Sequence, residues 1–142
     1  MTRDPIGKRI LAVDWGEKRI GLAVSDPSRM IASPAGFIVR RARKRPPVAR
    51  VIARAEELGA TEVVLGLPLD GNGEETPRCA EVRAVAAEIE KRTGWRVSLV
   101  DERFTTAAAR RAVKELGGRP GERPGDVDAL AATVLLQQVL GR

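Results

Sequence analysis

Apolar positions along this chain follow two rhythms. Ile10, Leu11, Ala12 and Val13 form an unbroken run that stops at Asp14, and Ile20 to Val24 form a second run beyond a turn that Gly16 permits. Short β-branched runs bounded by turn residues predict strands, so about 9–25 reads as a hairpin. Asp26-Pro27-Ser28 is turn chemistry, and Met30 to Val39 supplies a third strand that Pro34 and Gly36 demote to an edge. The rhythm then changes. Val48, Val51, Ile52, Ala55 and Leu58 recur at helical spacing, with Pro46-Pro47 ahead of them and Gly59 behind. Thr61 to Leu67 reads as a buried parallel strand and leads into the breaker-rich stretch Gly66 to Gly73. A helix is expected from about Pro77 to Arg92, ended by Gly94, then a strand from Trp95 to Val100 that gives way to Asp101-Glu102. Thr105 or Thr106 can cap a helix over Ala107 to Leu116. A Gly/Pro-rich basic loop follows, and a last helix runs from about Asp126 to Leu140, apolar at Leu130, Val134, Leu135 and Val139.

The order β-β-β-α-β-α-β-α plus one further helix predicts an α/β fold. Its meander is antiparallel, and its later strands, reached through helices, run parallel to the first. With 142 residues and no internal repeat, 1–142 reads as a single domain. In such sheets ligands collect at the carboxyl ends of the parallel strands, where Asp14, the Gly66–Gly73 loop and Glu102 all belong.

Composition removes several mechanisms. The chain contains no histidine, which excludes Ser-His and Cys-His pairs, His-ligated zinc and imidazole acid/base chemistry. Cys79 is the single cysteine, so there is neither an internal disulfide nor a thiolate metal site, and a reducing, cytoplasmic setting is expected. No apolar run is long enough to cross a bilayer, and Met-Thr-Arg-Asp-Pro lacks the apolar region of a signal peptide. The net charge of +6 points to a polyanionic partner such as nucleic acid, and no membrane partner is expected. Aromatic residues at 3%, with no tyrosine, argue against a base-stacking platform.

Asp14 closes the first strand, Glu102 the fifth, and Asp126 and Asp128 open the last helix. If strands one, four and five are neighbours, these acids converge and repel unless a cation intervenes. An oxygen-only donor set selects Mg²⁺ or Mn²⁺. Asp126 serves equally well as a helix cap, and Asp128 also suits the helix dipole. Asp101 faces the opposite way from Glu102 if the strand is still extended, so Glu102 is the inward acid. Arg40, Arg41, Arg43, Lys44 and Arg45, with Arg119 and Arg123 of the later basic loop, are expected to contact phosphate. Gly71 and Gly73 fit either a phosphate cradle or plain turn geometry.

Val13-Asp14-Trp15-Gly16 with Arg19-Ile20-Gly21-Leu22-Ala23-Val24-Ser25-Asp26, then Val64-Leu65-Gly66-Leu67-Pro68-Leu69 with Gly71, Asp101-Glu102-Arg103-Phe104-Thr105-Thr106, and Asp128-Ala129 with Ala131-Ala132, resemble the YqgF/RuvX family. That resemblance implies an RNase H-like, RuvC-like fold: a five-stranded mixed sheet of order 3-2-1-4-5 with flanking helices. It implies a metal-dependent nuclease acting on precursor 16S rRNA or on Holliday junctions, with Asp14, Glu102 and Asp128 as catalytic metal ligands and Asp126 as an additional acid. Arg19, Arg103, Thr105 and Thr106 would face the phosphate backbone. A homodimer is a possibility, because a four-way junction presents two symmetric cleavage points. Two other readings stand beside it. The strand-Asp-x-Gly hairpin also occurs in ATP-binding domains of the actin and sugar-kinase type, which usually need two such domains. A non-catalytic nucleic-acid binder would gain nothing from carboxylates facing phosphates.

Overall fold

The computed structural model describes residues 9–41, 44–102 and 124–141. Within them the chain runs β1 (Arg9–Trp15), β2 (Arg19–Ser25), β3 (Ala32–Val39), α1 (Val48–Leu58), β4 (Ala60–Leu67), α2 (Pro77–Thr93), β5 (Arg96–Asp101) and α3 (Pro124–Leu140). The strands form one five-stranded sheet in the order β3-β2-β1-β4-β5. β1–β2 and β2–β3 are antiparallel, whereas β1–β4 and β4–β5 are parallel. This is the mixed sheet and the order expected from the sequence. β1 takes the centre because its continuous apolar run needs cover on both faces.

Alternation along the strands sorts the side chains. Leu11, Val13, Trp15, Ile20, Leu22, Val63 and Leu65 lie on one face, packed in a core with Val48, Val51 and Ala55 of α1 and Val82, Val85 and Ile89 of α2. Ile10, Ala12, Ala23, Val64 and Val100 lie on the other face with Ala132, Leu135 and Leu136 of α3. The alanines on both sides of that second interface let α3 lie close to the sheet. At its start the approach is closer still: a Cβ on Gly21 would stand 2.0 Å from the Asp128 carbonyl oxygen. The first turn of α3 therefore rests on bare β2 backbone.

Several boundaries move from the sequence reading. β3 starts at Ala32 and not at Met30, because the Asp26 carboxylate accepts the backbone N–H groups of Met30 and Ile31, each at 2.8 Å, and holds them in the turn. The last helix begins at Pro124, where a proline costs no intrahelical bond. Its buried side shifts too. Ala129, Ala131, Ala132, Thr133, Leu135 and Leu136 are buried, while Leu130, Val134 and Val139 are half-buried. A helix apolar nearly all round leaves its period unable to select one stripe. α1 and α2 stop, as expected, at Gly59 and Gly94, with φ of 77° and 75°. The helix expected over 107–116 lies outside the described residues. Among the described residues no helix is long and apolar enough to cross a membrane.

Candidate active site

Strand parity builds the site. Asp14 continues the Ile10, Ala12 series onto the α3 face and pairs with Gly21 of β2. In β4 the same parity runs from Val64 to Gly66, and the Val13–Leu65 pairing sets Gly66 beside Asp14. In β5 it runs from Val100 to Glu102, whose N–H donates to the Leu67 carbonyl at 3.3 Å and extends the ladder by one rung. A Cβ on Gly66 would stand 2.2 Å from Glu102 Oε2. The Glu102 carboxylate thus lies over the bare backbone of β4, the strand between its own and that of Asp14. Asp128 arrives from α3, seated on Gly21. Asp101 pairs with Leu67 and takes the parity of the opposite face.

Asp14, Glu102 and Asp128 consequently line one cleft of about 380 Å³, together with Gly16, Glu17, Lys18, Arg19 and Arg78. Arg19 Nε donates to Asp128 Oδ2 at 2.8 Å. Arg78 Nη2 donates to the Trp15 carbonyl at 2.8 Å. Asp126 is exposed and is not among the cleft residues, so the two acids at the start of α3 part company here. An oxygen-only donor set of three carboxylates suits a hard divalent cation. As placed, no group of three acids among the described residues closes a metal cage. The Arg19 guanidinium balances the charge of Asp128.

The turn after Asp14 is clamped from α2. Glu81 accepts the Trp15 indole N–H at 2.9 Å and both Nη atoms of Arg40, at 2.9 and 3.1 Å. Arg40 also donates to the Gly16 carbonyl at 2.8 Å and lies over the Trp15 ring, 5.4 Å from its centroid. The Arg40 guanidinium, then the Trp15 indole, hold the Glu81 carboxyl below its ordinary range. Arg40 is therefore built into the support of the site, whereas Arg41, Lys44 and Arg45 of the same basic run stay exposed. In the glycine-rich loop the Asp70 carboxylate accepts the N–H groups of Asn72 (2.8 Å) and Glu74 (3.0 Å). Those amides are engaged by the chain's own acid, and turn geometry accounts for Gly73, whose φ is 80°. Arg43, Arg103, Thr105, Thr106, Arg119 and Arg123 lie outside the described residues. Sequence reasoning missed Lys18, Glu17 and Arg78; Arg78 had no local signal, since a helix in another part of the chain delivers it.

A family model described as "RuvX: Holliday junction resolvase" matches residues 8–142. The chain belongs to the RuvX family. Its relatives include a Roseiflexus protein, 37% identical over 132 residues and covering 93% of both chains. Another, from Anaplasma marginale, is 41% identical over 133 residues, or 94% of this chain and 84% of that one. Both carry the provisional name of pre-16S rRNA nuclease. Among solved structures, T. thermophilus RuvC in complex with a Holliday junction substrate aligns at a TM-score of 0.57 and 17% identity, covering 94% of this chain and 96% of that one. The shared architecture makes the fold RNase H-like, and the family is one of nucleases.

Proposed function

We propose that this RuvX-family chain is a divalent-metal-dependent endonuclease that hydrolyses phosphodiester bonds of structured nucleic acid, with Asp14, Glu102 and Asp128 as the ligands of Mg²⁺ or Mn²⁺. The observation that carries this reading is the meeting of three carboxylates, distant in sequence, in a single cleft. Acids turned toward a polyanion are unfavourable unless a cation stands between them. When bound, such an ion supplies Lewis acidity and a nucleophilic water at neutral pH. Asp14 and Glu102 come from strand ends whose ladders fix their positions, and Asp128 from a helix seated on the sheet. Arg19, Lys18 and Arg78 stand beside these acids and can engage phosphate oxygens. Arg19, which donates to Asp128 at 2.8 Å, would hold that carboxylate in the cleft beside the entering phosphate.

Precursor 16S rRNA is the favoured substrate, because the relatives named for it share 37% and 41% identity across nearly the whole chain. The family description keeps four-way DNA junctions as the second reading. One assay separates them: purified parent and Asp14→Asn, each with Mg²⁺ or Mn²⁺, offered a precursor 16S fragment and a four-way junction. The parent is expected to cut the RNA. Asp14→Asn should be slower by about 10²-fold or more, the several kcal/mol that metal-assisted charge stabilisation supplies. Undiminished cleavage by Asp14→Asn would overturn the assignment of the site. Cleavage of the junction in preference to the RNA would replace the substrate and keep the site.

A further inference from the structure

A second hollow, of about 610 Å³, opens where β3 leaves the sheet and is lined by Val39, Arg41, Lys44, Arg45, Pro47 and Arg50. Four of these residues are cations and none is acidic. Arg50 Nη1 donates to the Val39 carbonyl at 3.2 Å. Among the described residues none of the four pairs with a carboxylate. The first turn of α1, which starts beside Pro47, contains no acid that would offset the charge. This is not the linear run 40–45. Arg40 has turned inward to Glu81, and Arg50 has joined from a helix.

Position relates the groove to the acidic cleft. Val39 pairs with Arg19, and Arg19 lines the cleft. Asp14 pairs with Gly21 and Gly21 with Phe37, two residues short of Val39, so two inter-strand spacings and two residues of strand rise separate Asp14 from Val39, on the order of 12 Å. A stacked strand advances about 3.4 Å per nucleotide, so that gap corresponds to about three nucleotides. The root of the groove is fixed to the hairpin of Asp14, because Arg40 N donates to the Lys18 carbonyl at 2.8 Å while its guanidinium grips Glu81 and Gly16. The lining contains no aromatic residue, which suits phosphates and not bases.

We infer that the groove of Arg41, Lys44, Arg45 and Arg50 binds the phosphodiester backbone of the substrate strand about three nucleotides from the point of cleavage. The nucleotide offset rests on the nuclease reading; the binding of backbone phosphate does not. The test is fluorescence anisotropy in EDTA, so that nothing is cut, with a labelled RNA hairpin carrying single-stranded flanks and with its DNA counterpart. Lys44→Gln/Arg45→Gln is compared with Lys91→Gln/Arg96→Gln, which removes the same charge from exposed positions outside the groove. The groove pair should weaken both probes and flatten the dependence of log Kd on log salt by about 0.7–0.9 for each phosphate no longer neutralised, while the control pair leaves the slope alone. Adding Arg41→Gln and Arg50→Gln should extend the loss, with circular dichroism verifying the fold. Equal effects of the two pairs, or an unchanged slope, would overturn the groove as a site. Shortening the flanks below about three nucleotides should erase the difference between parent and groove variant. A difference that survives the shortening overturns the offset. If Asp14→Asn cleaves normally, the assignment of the cleavage site fails and the offset with it, yet the binding measured in EDTA is untouched, so the two failures are distinguishable.

Discussion

A methyl group added at Gly66 and one added at Gly21 meet different obstacles. At Gly66 the nearest atoms are Glu102 Oε2 at 2.2 Å and Cδ at 3.0 Å, the far end of a side chain that can swing aside, with Glu102 Cβ at 3.2 Å having to yield slightly. Compared with Gly21→Ala, Gly66→Ala should therefore fold with a smaller drop in urea midpoint. Its nuclease rate should fall by about tenfold or more, because a displaced reacting group loses its geometry. At Gly21 the obstacle is backbone: the Asp128 carbonyl carbon at 2.3 Å and Ala129 N at 2.9 Å. Gly21→Ala has to push α3 off the sheet and should cost about 1–3 kcal/mol in urea unfolding. The two acids that end strands were legible from alternation, since Asp14 and Glu102 each continue a series of residues on one face. Asp126 and Asp128 were not separable that way. Both open the same helix, and only the seating of that helix on Gly21 turns one of them toward the cleft.

The β2–β3 connection is held by one carboxylate. Asp26 accepts the Ser28 hydroxyl and the N–H groups of Ile31 and Met30, and these bonds, the hydroxyl first, bring its pKa down to about 2. A depressed carboxylate contributes stability above its unfolded value, near 3.9, and loses it as the pH falls through the folded value. The urea midpoint of the parent should exceed that of Asp26→Ala at neutral pH, and the gap should close between about pH 4 and pH 2. A gap that persists at pH 2 would assign the effect to packing. The sequence marked this segment as a turn but ran the strand from Met30, because a carboxylate capturing amides four and five residues ahead has no periodic signature. Arg40 was hidden for the same reason: its partners Glu81 and Trp15 lie on other elements, so a basic run looked uniform.

Taken whole, the molecule joins an acidic cleft and a cationic groove on one end of a single sheet. A divalent ion that binds the folded cleft, and not the unfolded chain, must stabilise the fold. With Mg²⁺ or Mn²⁺ at about a hundredfold excess over Kd the gain is about 2.7 kcal/mol. The parent should thus show a Tm that climbs with ion concentration, and Asp14→Asn should lose most of that climb. A parent Tm indifferent to both ions would remove the metal from the proposal. The chain's own pattern was enough for the kind of each described element, for the opposite facing of Asp101 and Glu102 and for the stops at Gly59 and Gly94, because periods of two and 3.6 and a left-handed stop are local properties of the backbone. The strand order came from the family's motifs. Packing was needed for the rest: that α3 descends on Gly21, that Glu102 lies over Gly66, that Arg40 turns inward and Arg50 joins the groove. These are meetings of segments far apart along the chain, and no local period encodes the distance at which two such segments meet.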